Sequence, residues 1–434
     1  MMESSSRLQS TLESRRETRR LRRPLLEAIQ LEKLNRQFAA ILPQNRFYAE
    51  KLAEVPTPLA DVNDLGELPF TFKEELIGGS GDSDFAANLT FAPESYVRFH
   101  RTSGTRGRPM VVLDTADDWD WWIEAWQHVL DAAELTQADR AVMPFSFGPF
   151  IGFWSAFDAA TARGLLVAPT GGLSSVARLD LIKSLNANVL FCTPSYALHL
   201  SETAEQTQID PRQLQVEKII VAGEPGGSVP SIRQRIESNW DAQVIDHSGA
   251  SEVGPWGFAN EQRTGLYVNE ADFIAEFISV ETGSVAGEGE LSELVLTSLG
   301  RHGSPVIRYR TGDLVRPSWE HDGDCRFVLL EGGVLSRADD MMIIRGVNIF
   351  PSSIEQILRS FPEVVEYRMT AVREGAMDAV RIEVEDRLDD AVRIERELQL
   401  RLGLKIHVTV VESGSLPRFE AKGKRFIDAR EDAK

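Results

Sequence analysis

The sequence predicts an α/β protein with a large N-terminal domain and a small α+β domain at its C-terminal end. Short apolar runs alternate with helical patterns between Ser174 and Gly254, as in βαβ units. Strand-like runs separated by glycine-rich turns follow, and after Arg337 two helical patterns and further strands form a compact unit. We therefore divide the chain into a basic N-terminal arm (1–23), a large domain (24–338) and a small domain (339–434).

The composition and charge of the chain argue against several classes of function. The chain has 434 residues, with 47 basic against 66 acidic side chains and a net charge of -19, which would repel a phosphate backbone. We therefore expect no nucleic-acid partner. The most apolar stretch, 151–169, contains Asp158 and Arg163, so we expect no membrane span. The chain has two cysteines, Cys192 and Cys325, which are too few for a disulfide framework. We therefore expect the protein to be located in the reducing cytoplasm.

The N-terminal arm carries six arginines between residues 15 and 23. A transit peptide or an anion-binding arm would explain them, but Glu13 and Glu17 argue against a transit peptide. We favour a solvated helical or frayed arm. Apolar residues at helical spacing then predict a helix within 24–52, and the Pro- and Gly-rich stretch 56–84 predicts an irregular connector.

The predicted sheet places its loops at one edge. Strands are expected at 189–192, 218–222 and 243–246, with helices at 194–205 and 229–240 between them. In open α/β sheets ligands bind beyond the carboxyl ends of the strands. The loops 223–227 and 247–252 should therefore line a common crevice. Past Gly254, strands at 272–280, 293–298 and 306–309 predict a smaller β unit.

Residues 102–109 form a turn-rich loop of hydroxyl side chains, glycines and arginines. Glycines allow backbone N–H groups to converge on an anion, and the hydroxyls could contact phosphate or its magnesium ion. The spacing is not that of a Walker loop. Taken alone, the loop is better explained as a surface turn rich in Ser and Gly.

Three charged side chains have a functional and an ordinary interpretation. Asp313, expected in a tight turn after a strand, could accept the hydroxyls of a ribose or be a plain turn residue. Glu252 could bind Mg²⁺ or sit at a helix start. Lys422 could bring positive charge to a phosphoryl transition state or belong to a solvated basic patch. His247 is expected in a loop or pocket wall, without a metal-ligand partner nearby.

The order of these motifs resembles that of the adenylate-forming superfamily and, within it, the phenylacetate-CoA ligase family. The resemblance extends from about residue 22 to 430. The matching segments are the phosphate loop (102–109), two strand-end motifs (222–225 and 248–252), the ribose motif (309–313), the hinge region (336–351) and the segment bearing the adenylation lysine (416–422).

The resemblance implies a large adenylate-forming domain, a small mobile domain and a two-step ligase that uses ATP, Mg²⁺ and CoA. A carboxylic acid would attack the α-phosphate of ATP, and the acyl-adenylate would then react with the CoA thiol. Glu252 would hold Mg²⁺, Lys422 would serve adenylation, the small domain would rotate about Asp339, and Gly346 would line the CoA tunnel. The ATP-binding residues implied are Thr102, Ser103, Gly104, Thr105, Gly107, Gly223, Glu224, Pro225, Asp246, Ser251, Asp313 and Arg337.

An aromatic segment, 145–154, is the candidate wall of the acyl pocket. Its composition suits an aryl or arylacetic acid, although the same aromatics could be core. The pocket residues we expect are Phe145, Phe147, Gly148, Phe150, Ala222 and His247.

The chain departs from the family pattern in several positions. Ser248 stands where the family usually has an aromatic that stacks on adenine, and Arg106 and Arg108 replace a small residue and a lysine. Cys325 alone echoes the cysteine-rich zinc site of some relatives, so we expect no zinc. Two alternatives stay open: acyl transfer to a carrier protein or an amine, and a non-catalytic nucleotide- or carboxylate-binding protein. Monomer and homodimer are also both open.

Overall fold

The computed structural model describes residues 8–430 apart from 78–84, 103–108, 146, 322, 339–341, 345–346, 375–376 and 419–424. The α-helices are α1 (Leu12–Arg19), α2 (Arg23–Ile41), α3 (Arg46–Lys51), α4 (Lys73–Ile77), α5 (Ala116–Ala132), α6 (Ile151–Arg163), α7 (Ser175–Leu185), α8 (Pro194–Gln206), α9 (Pro230–Trp240), α10 (Pro351–Arg359) and α11 (Ala391–Leu402). Short 3₁₀ helices lie at Val62–Glu67, Pro93–Ser95 and Pro211–Gln213.

Strands occupy much of the rest of the described chain. They are β1 (Arg98–Arg101), β2 (Val111–Asp114), β3 (Arg140–Met143), β4 (Leu166–Pro169), β5 (Val189–Cys192), β6 (Lys218–Val221), β7 (Gln243–Ala250), β8 (Gly254–Ala259), β9 (Gly265–Val268), β10 (Phe273–Ser279), β11 (Ser292–Ser298), β12 (Tyr309–Val315), β13 (Pro317–Ser318), β14 (Leu329–Glu331), β15 (Ser336–Arg337), β16 (Met342–Ile344), β17 (Val347–Ile349), β18 (Val364–Glu374), β19 (Met377–Asp386), β20 (His407–Val410) and β21 (Phe426–Asp428).

The large sheet has the order β13-β14-β9-β8-β7-β6-β5-β3-β4. Strands β3 to β7 pair in parallel, which confirms the βαβ prediction. Strand β7 then continues to Ala250 and turns back into β8. The prediction of one separate β unit after Gly254 is therefore only half correct. Strands β8 and β9 extend the large sheet, and β10-β11-β12-β15 form a second sheet.

Apolar packing around α5 forms the centre of the largest core. Trp119, Trp122 and Trp126 are each no more than 4% exposed, as their helical spacing predicts. Helix α5 is capped by Thr115, whose side chain accepts a hydrogen bond from the N–H of Asp118. This helix packs on α6 and β8, so it supports the sheet beneath the carboxyl edge of its strands.

The N-terminal arm is helical, but the expectation that it is solvated is wrong for two of its arginines. Arg15 is 6% exposed, and its Nε lies 2.7 Å from Oδ2 of Asp131. Arg19 and Arg163 contact the same carboxylate, at 3.1 and 2.5 Å. A buried carboxylate needs such partners because its desolvation is otherwise uncompensated. The arm is thus pinned to α5.

The predicted helix within 24–52 is two helices, α2 and α3. Helix α2 ends at Ile41 and α3 begins at Arg46. The side chain of Asn45 caps α3 by accepting a hydrogen bond from the N–H of Tyr48. Leu34, Phe38 and Ile41 form the buried face of α2, as their spacing predicts.

The C-terminal region has its own core and a sheet of order β20-β19-β18-β21. The two helical patterns and the further strands predicted after Arg337 are helices α10 and α11 and strands β18 to β20. Strand β21 was not predicted because its three residues carry no periodicity. The region contacts the large domain through α9, where Arg235 Nη1 donates to the carbonyl of Val364 at 2.9 Å. No helix in the described residues combines the length and apolarity needed to cross a membrane.

Candidate active site

The loop after β6 begins with Ala222 and Gly223, whose φ of +92° lies in the left-handed region that favours glycine. Glu224 follows, and its Oε1 accepts from the N–H of Ser195, 2.7 Å away in the first turn of α8. Its Oε2 lies 3.8 Å from Arg425. The Glu224 carboxylate is therefore engaged by a helix N-terminus and an arginine. The nucleotide contacts expected of Gly223, Glu224 and Pro225 stay a prediction.

Asp246 lies where the parallel pairing of β7 ends. The hydroxyl of Ser228 donates to its Oδ2 at 2.5 Å. Burial raises the pKa of Asp246 to about 6, while the hydrogen bond from Ser228 acts in the opposite direction. Gly227 and Gly333 pack against this carboxylate so closely that a side chain at Gly227 would collide with it. Asp246 thus joins the β6 loop to the segment that leads into β15.

His247 lies in strand β7, so the loop alternative is wrong, and the pocket-wall alternative stays a prediction. Its Nδ1 is 2.7 Å from the carbonyl oxygen of Gly257, and its ring centroid is 4.1 Å from that of Trp126. Burial lowers the pKa of His247 to about 4, so the ring is neutral at pH 7 and donates Nδ1–H to that carbonyl. The ring of His247 is thus held between Trp126 of the core and the backbone of strand β8.

Glu252 lies in the hairpin turn between β7 and β8, not at a helix start. Its side chain is 8% exposed, and its Oε1 is 2.6 Å from Nζ of Lys73. Lys73 stands at the first position of α4, in the stretch we expected to be an irregular connector. Sequence reasoning missed it because a single lysine in a connector carries no pattern. The backbone of Ser251 and Glu252 is held from the other side by Arg301.

Asp313 pairs with Arg337 across β12 and β15. Arg337 Nη1 is 2.9 Å from Asp313 Oδ1 and 2.8 Å from the carbonyl oxygen of Thr311. Asp313 lies within a strand, so the prediction of a tight turn is wrong. The glycine before it explains the signal, because Gly312 has φ +75° and leaves room for the Arg337 guanidinium. Asp313 and Arg337, both among the implied ATP-binding residues, therefore lie side by side.

Thr102 closes the base of the predicted phosphate loop. Its N–H donates to the carbonyl of Met110 at 3.0 Å, and its hydroxyl oxygen accepts from the N–H of Met110 at 2.9 Å. Strands β1 and β2 flank this base as an antiparallel pair. Seven other predicted site residues lie outside the described residues: Ser103, Gly104, Thr105, Gly107, Asp339, Gly346 and Lys422.

The aromatic segment packs largely on itself. Phe145 stacks on Phe153 with ring centroids 3.9 Å apart, and Phe147 meets Trp154 edge to face at 5.1 Å. The indole N–H of Trp154 donates to the carbonyl of Gly148 at 3.0 Å. Phe150 is 37% exposed. The segment reaches His247 through α6, because Trp126 Nε1 donates to Ser155 and Trp126 also faces His247.

The charged groups of the site lie around Tyr309. Burial raises the pKa of this phenol, the carboxylates of Glu252 and Asp313 raise it further, and Arg337 lowers it. Thr71 pairs with Tyr309 and leads directly to Lys73. The fold therefore brings the Glu252 turn, the Asp313–Arg337 pair and the connector together, although they are far apart in the sequence.

The donor set of the turn fits a magnesium ion that is shared with a nucleotide. Mg²⁺ is commonly held by one or two carboxylates together with substrate phosphates. Glu252 supplies one such carboxylate. Within the described part of the chain no cluster of three or more His, Cys, Asp or Glu side chains could hold a metal by itself. The expectation of no zinc stays a prediction.

Comparison with known proteins identifies close relatives. A family model described as the AMP-binding enzyme C-terminal domain matches residues 346–430. The phenylacetate-coenzyme A ligase of Thermus thermophilus is 31% identical, over 94% of this chain and 98% of that protein. The enzyme of the same name from Pseudomonas putida is 32% identical, over 92% of this chain and 93% of that protein.

Solved structures with the same fold include 2-hydroxyisobutyryl-CoA ligase. In its postadenylation state, in complex with 2-HIB-AMP, it matches with a TM-score of 0.90 at 24% identity, over 98% of this chain and 94% of that chain. The same enzyme with 2-HIB-AMP and CoA in the thioesterification state matches with a TM-score of 0.73 at 25% identity, over 97% and 94%. These likenesses confirm the predicted two-domain α/β fold.

Proposed function

The chain belongs to the phenylacetate-coenzyme A ligase family of adenylate-forming enzymes, and from that premise we propose that it activates an aryl or arylacetic acid with ATP and transfers the acyl group to CoA. The products are the acyl-CoA thioester, AMP and pyrophosphate. The relatives named above support the reaction class, and the aromatic segment 145–154 supports the aryl character of the acid.

The observation that carries this proposal is that the Lys73–Glu252 and Asp313–Arg337 ion pairs lie on segments joined at the bridge between Thr71 and Tyr309. One carboxylate that can hold Mg²⁺ and a second one that can accept ribose hydroxyls suit a Mg²⁺-bound nucleotide. Thr102, at the base of the predicted phosphate loop, belongs to the same hairpin as strand β2, which ends at Asp114. Arg301 contacts both Asp114 and the backbone of the Glu252 turn.

In the first step the substrate carboxylate attacks the α-phosphate of ATP and pyrophosphate leaves. The protein's contribution is positioning and compensation of charge. Asp313 accepts the ribose hydroxyls, and Arg337 fixes the Asp313 carboxylate while facing a ribose or phosphate oxygen. Mg²⁺, held through Glu252, would neutralise phosphate charge. Lys73 pairs with Glu252 and adds a positive charge beside the phosphates.

The acid binds between the aromatic segment and strand β7. Ala222 and His247 form one wall, and because His247 is neutral it places no charge beside the acyl chain. The indole of Trp126 fixes the ring of His247, so this wall has little freedom to adapt. A flat, apolar acyl group suits such a wall better than a flexible charged one.

In the second step the CoA thiol attacks the acyl-adenylate and AMP leaves. We assign the compensation of charge on the α-phosphate during adenylation to Lys422, the pivot of the small domain to Asp339 and the thiol tunnel to Gly346, on the family resemblance alone. Rotation of the small domain would withdraw Lys422 before the thiol enters. A cytoplasmic location and a homodimer likewise stay predictions.

The experiment that tests the proposed function is pyrophosphate release from ATP and Mg²⁺ with aryl, arylacetic and aliphatic acids, each with and without CoA. We expect release with an aryl or arylacetic acid and thioester formation only when CoA is present. Amide formation with an amine, or thioester formation with a carrier-protein thiol, in place of CoA would support the alternative acceptor. Nucleotide binding without release for any acid would contradict the enzyme and favour the binding-protein alternative.

A second measurement separates the half-reactions. We expect Lys422→Ala to abolish adenylation while thioester formation from a supplied acyl-adenylate continues. Lys424→Ala, two residues away, is the matched control and should retain both activities. Equal loss of both half-reactions in Lys422→Ala would contradict the assigned role of Lys422.

A further inference from the structure

Arg301 is a fully buried arginine that contacts both strand β2 and the turn that carries Glu252. Its Nε and Nη2 lie 2.8 and 2.7 Å from Oδ1 of Asp114, and both side chains have 0% exposure. Its Nη1 donates to the carbonyl oxygens of Ser251 and Glu252, at 3.2 and 2.9 Å. One guanidinium therefore links the end of strand β2 to the turn that carries Glu252.

This guanidinium supplies hydrogen-bond donors for backbone carbonyl groups of the turn. Residues 251–253 connect β7 to β8, and Arg301 Nη1 is within hydrogen-bond distance of two of their carbonyl oxygens. A planar, five-donor fork can bind a carboxylate and two carbonyls at once, whereas an ammonium at the end of a flexible chain cannot match that geometry. Arg301 thus fixes the direction in which the Glu252 side chain leaves the turn.

Asp114 holds the other end of the fork in place. It is the last residue of β2, and the indole N–H of Trp122 donates to the same Oδ1 at 3.2 Å. Burial raises the pKa of Asp114, whereas the charge of Arg301 lowers it. Asp114 pairs with Arg98, at the end of the β1–β2 hairpin away from Thr102, so the arginine joins that end of the hairpin to the turn.

We propose that Arg301, held by Asp114, is a positioning residue that sets Glu252 for the Mg²⁺–ATP complex. The proposal rests on the proposed function, because it assumes that Glu252 holds the ion. Lys73 holds the Glu252 carboxylate from the side chain, and Arg301 holds the same residue from the backbone. Removal of a residue that contacts a metal ligand typically lowers metal affinity by about 10- to 100-fold.

The test compares ATP binding with and without Mg²⁺ by calorimetry, in the absence of any acid so that no turnover occurs. In Arg301→Lys we expect the ATP dissociation constant with Mg²⁺ to rise about tenfold or more, while the constant measured in EDTA stays within about twofold. Arg178→Lys is the matched control. Arg178 is 1% exposed and contacts Tyr196 Oη at 2.5 Å, so it reports the general effect of replacing a buried arginine.

Amide hydrogen exchange over residues 251–254 tests the anchoring without reference to catalysis. We expect exchange there to accelerate about tenfold in Arg301→Lys and to stay unchanged in Arg178→Lys. If Arg301→Lys does not fold, Asp114→Leu combined with Arg301→Met takes its place, because exchanging a buried ion pair for apolar residues is often neutral for stability.

The outcomes are distinguishable. An equal rise of both ATP dissociation constants, or faster exchange with an unchanged Mg²⁺ effect, would overturn the proposal and leave Arg301 a purely structural residue. Wild-type protein that shows no acid-dependent pyrophosphate release would contradict the proposed function instead, and the two binding constants would still decide the role of Arg301.

Discussion

Nζ of Lys73 lies 2.6 Å from Oε1 of Glu252, so the connector after α3 supplies the charge partner of the turn between β7 and β8. The two residues are far apart in the sequence. The Lys73 side chain is 38% exposed and that of Glu252 8% exposed, so the lysine pairs with a buried carboxylate and stays accessible to a phosphate.

Replacement of Lys73 should therefore weaken adenylation. We expect Lys73→Ala to lower kcat/KM for ATP about 10- to 100-fold, the range of one lost charge-assisted contact. Steady-state pyrophosphate release measures it. Lys51→Ala is the control, since Lys51 makes an ion pair of the same length with Glu75 of the same helix α4. Equal activity of the two variants would contradict a role for Lys73.

Asp313 should select for the ribose hydroxyls. We expect wild type to prefer ATP over 2′-deoxy-ATP and 3′-deoxy-ATP, and Asp313→Asn to lose most of that preference while its KM for ATP rises about tenfold or more. Competition between the nucleotides in the pyrophosphate assay measures the ratio. Glu276→Gln, which removes the ion pair of Glu276 with Arg308 in the same sheet, should leave the preference intact. A preference that survives Asp313→Asn would exclude this ribose contact.

The buried neutral ring of His247 should make stability depend on pH. Its pKa is lowered from 6.5 in the unfolded chain to about 4 in the fold, so between these values the unfolded chain binds the proton and stability falls as pH falls. The loss amounts to about 3 kcal/mol on going from pH 7 to pH 4. Urea unfolding should show this loss reduced in His247→Asn.

His407→Asn is the control for that experiment, because His407 is 76% exposed. It should leave the pH dependence close to that of wild type. Parallel pH profiles for wild type and His247→Asn would show that His247 is not held neutral.

The N-terminal arm should contribute to stability and not to substrate binding. Arg15→Ala leaves the buried Asp131 with two of its three arginines, and we expect the free energy of unfolding to fall by about 2–3 kcal/mol. Arg16→Ala, on the exposed side of the same helix, should change it by less than about 0.5 kcal/mol. Denaturant unfolding distinguishes them. A raised KM for ATP or acid in Arg15→Ala would instead indicate a functional arm.

Much of the fold was readable because its signals are local. The run 189–192 is the strand Val189–Cys192, and the spacing of Trp119, Trp122 and Trp126 is that of a helix with one buried face. The predicted ends of strands were wrong where pairing with a neighbouring strand overrides the local sequence pattern. Strand β7 runs past Asp246 to Ala250 because β8 pairs with its end, and Asp313 lies in β12 because β11 and β15 pair on either side.

The sequence by itself determined the two-domain α/β architecture, the order of the motifs and the chemical types of side chain at the strand ends, because periodicity and residue chemistry are properties of short segments. Only the tertiary structure decided which charges meet. Lys73 and Glu252, Asp114 and Arg301, and Arg15 and Asp131 are paired through space across long stretches of chain. A buried charge is stable only beside a partner, and the fold as a whole determines which residue that partner is.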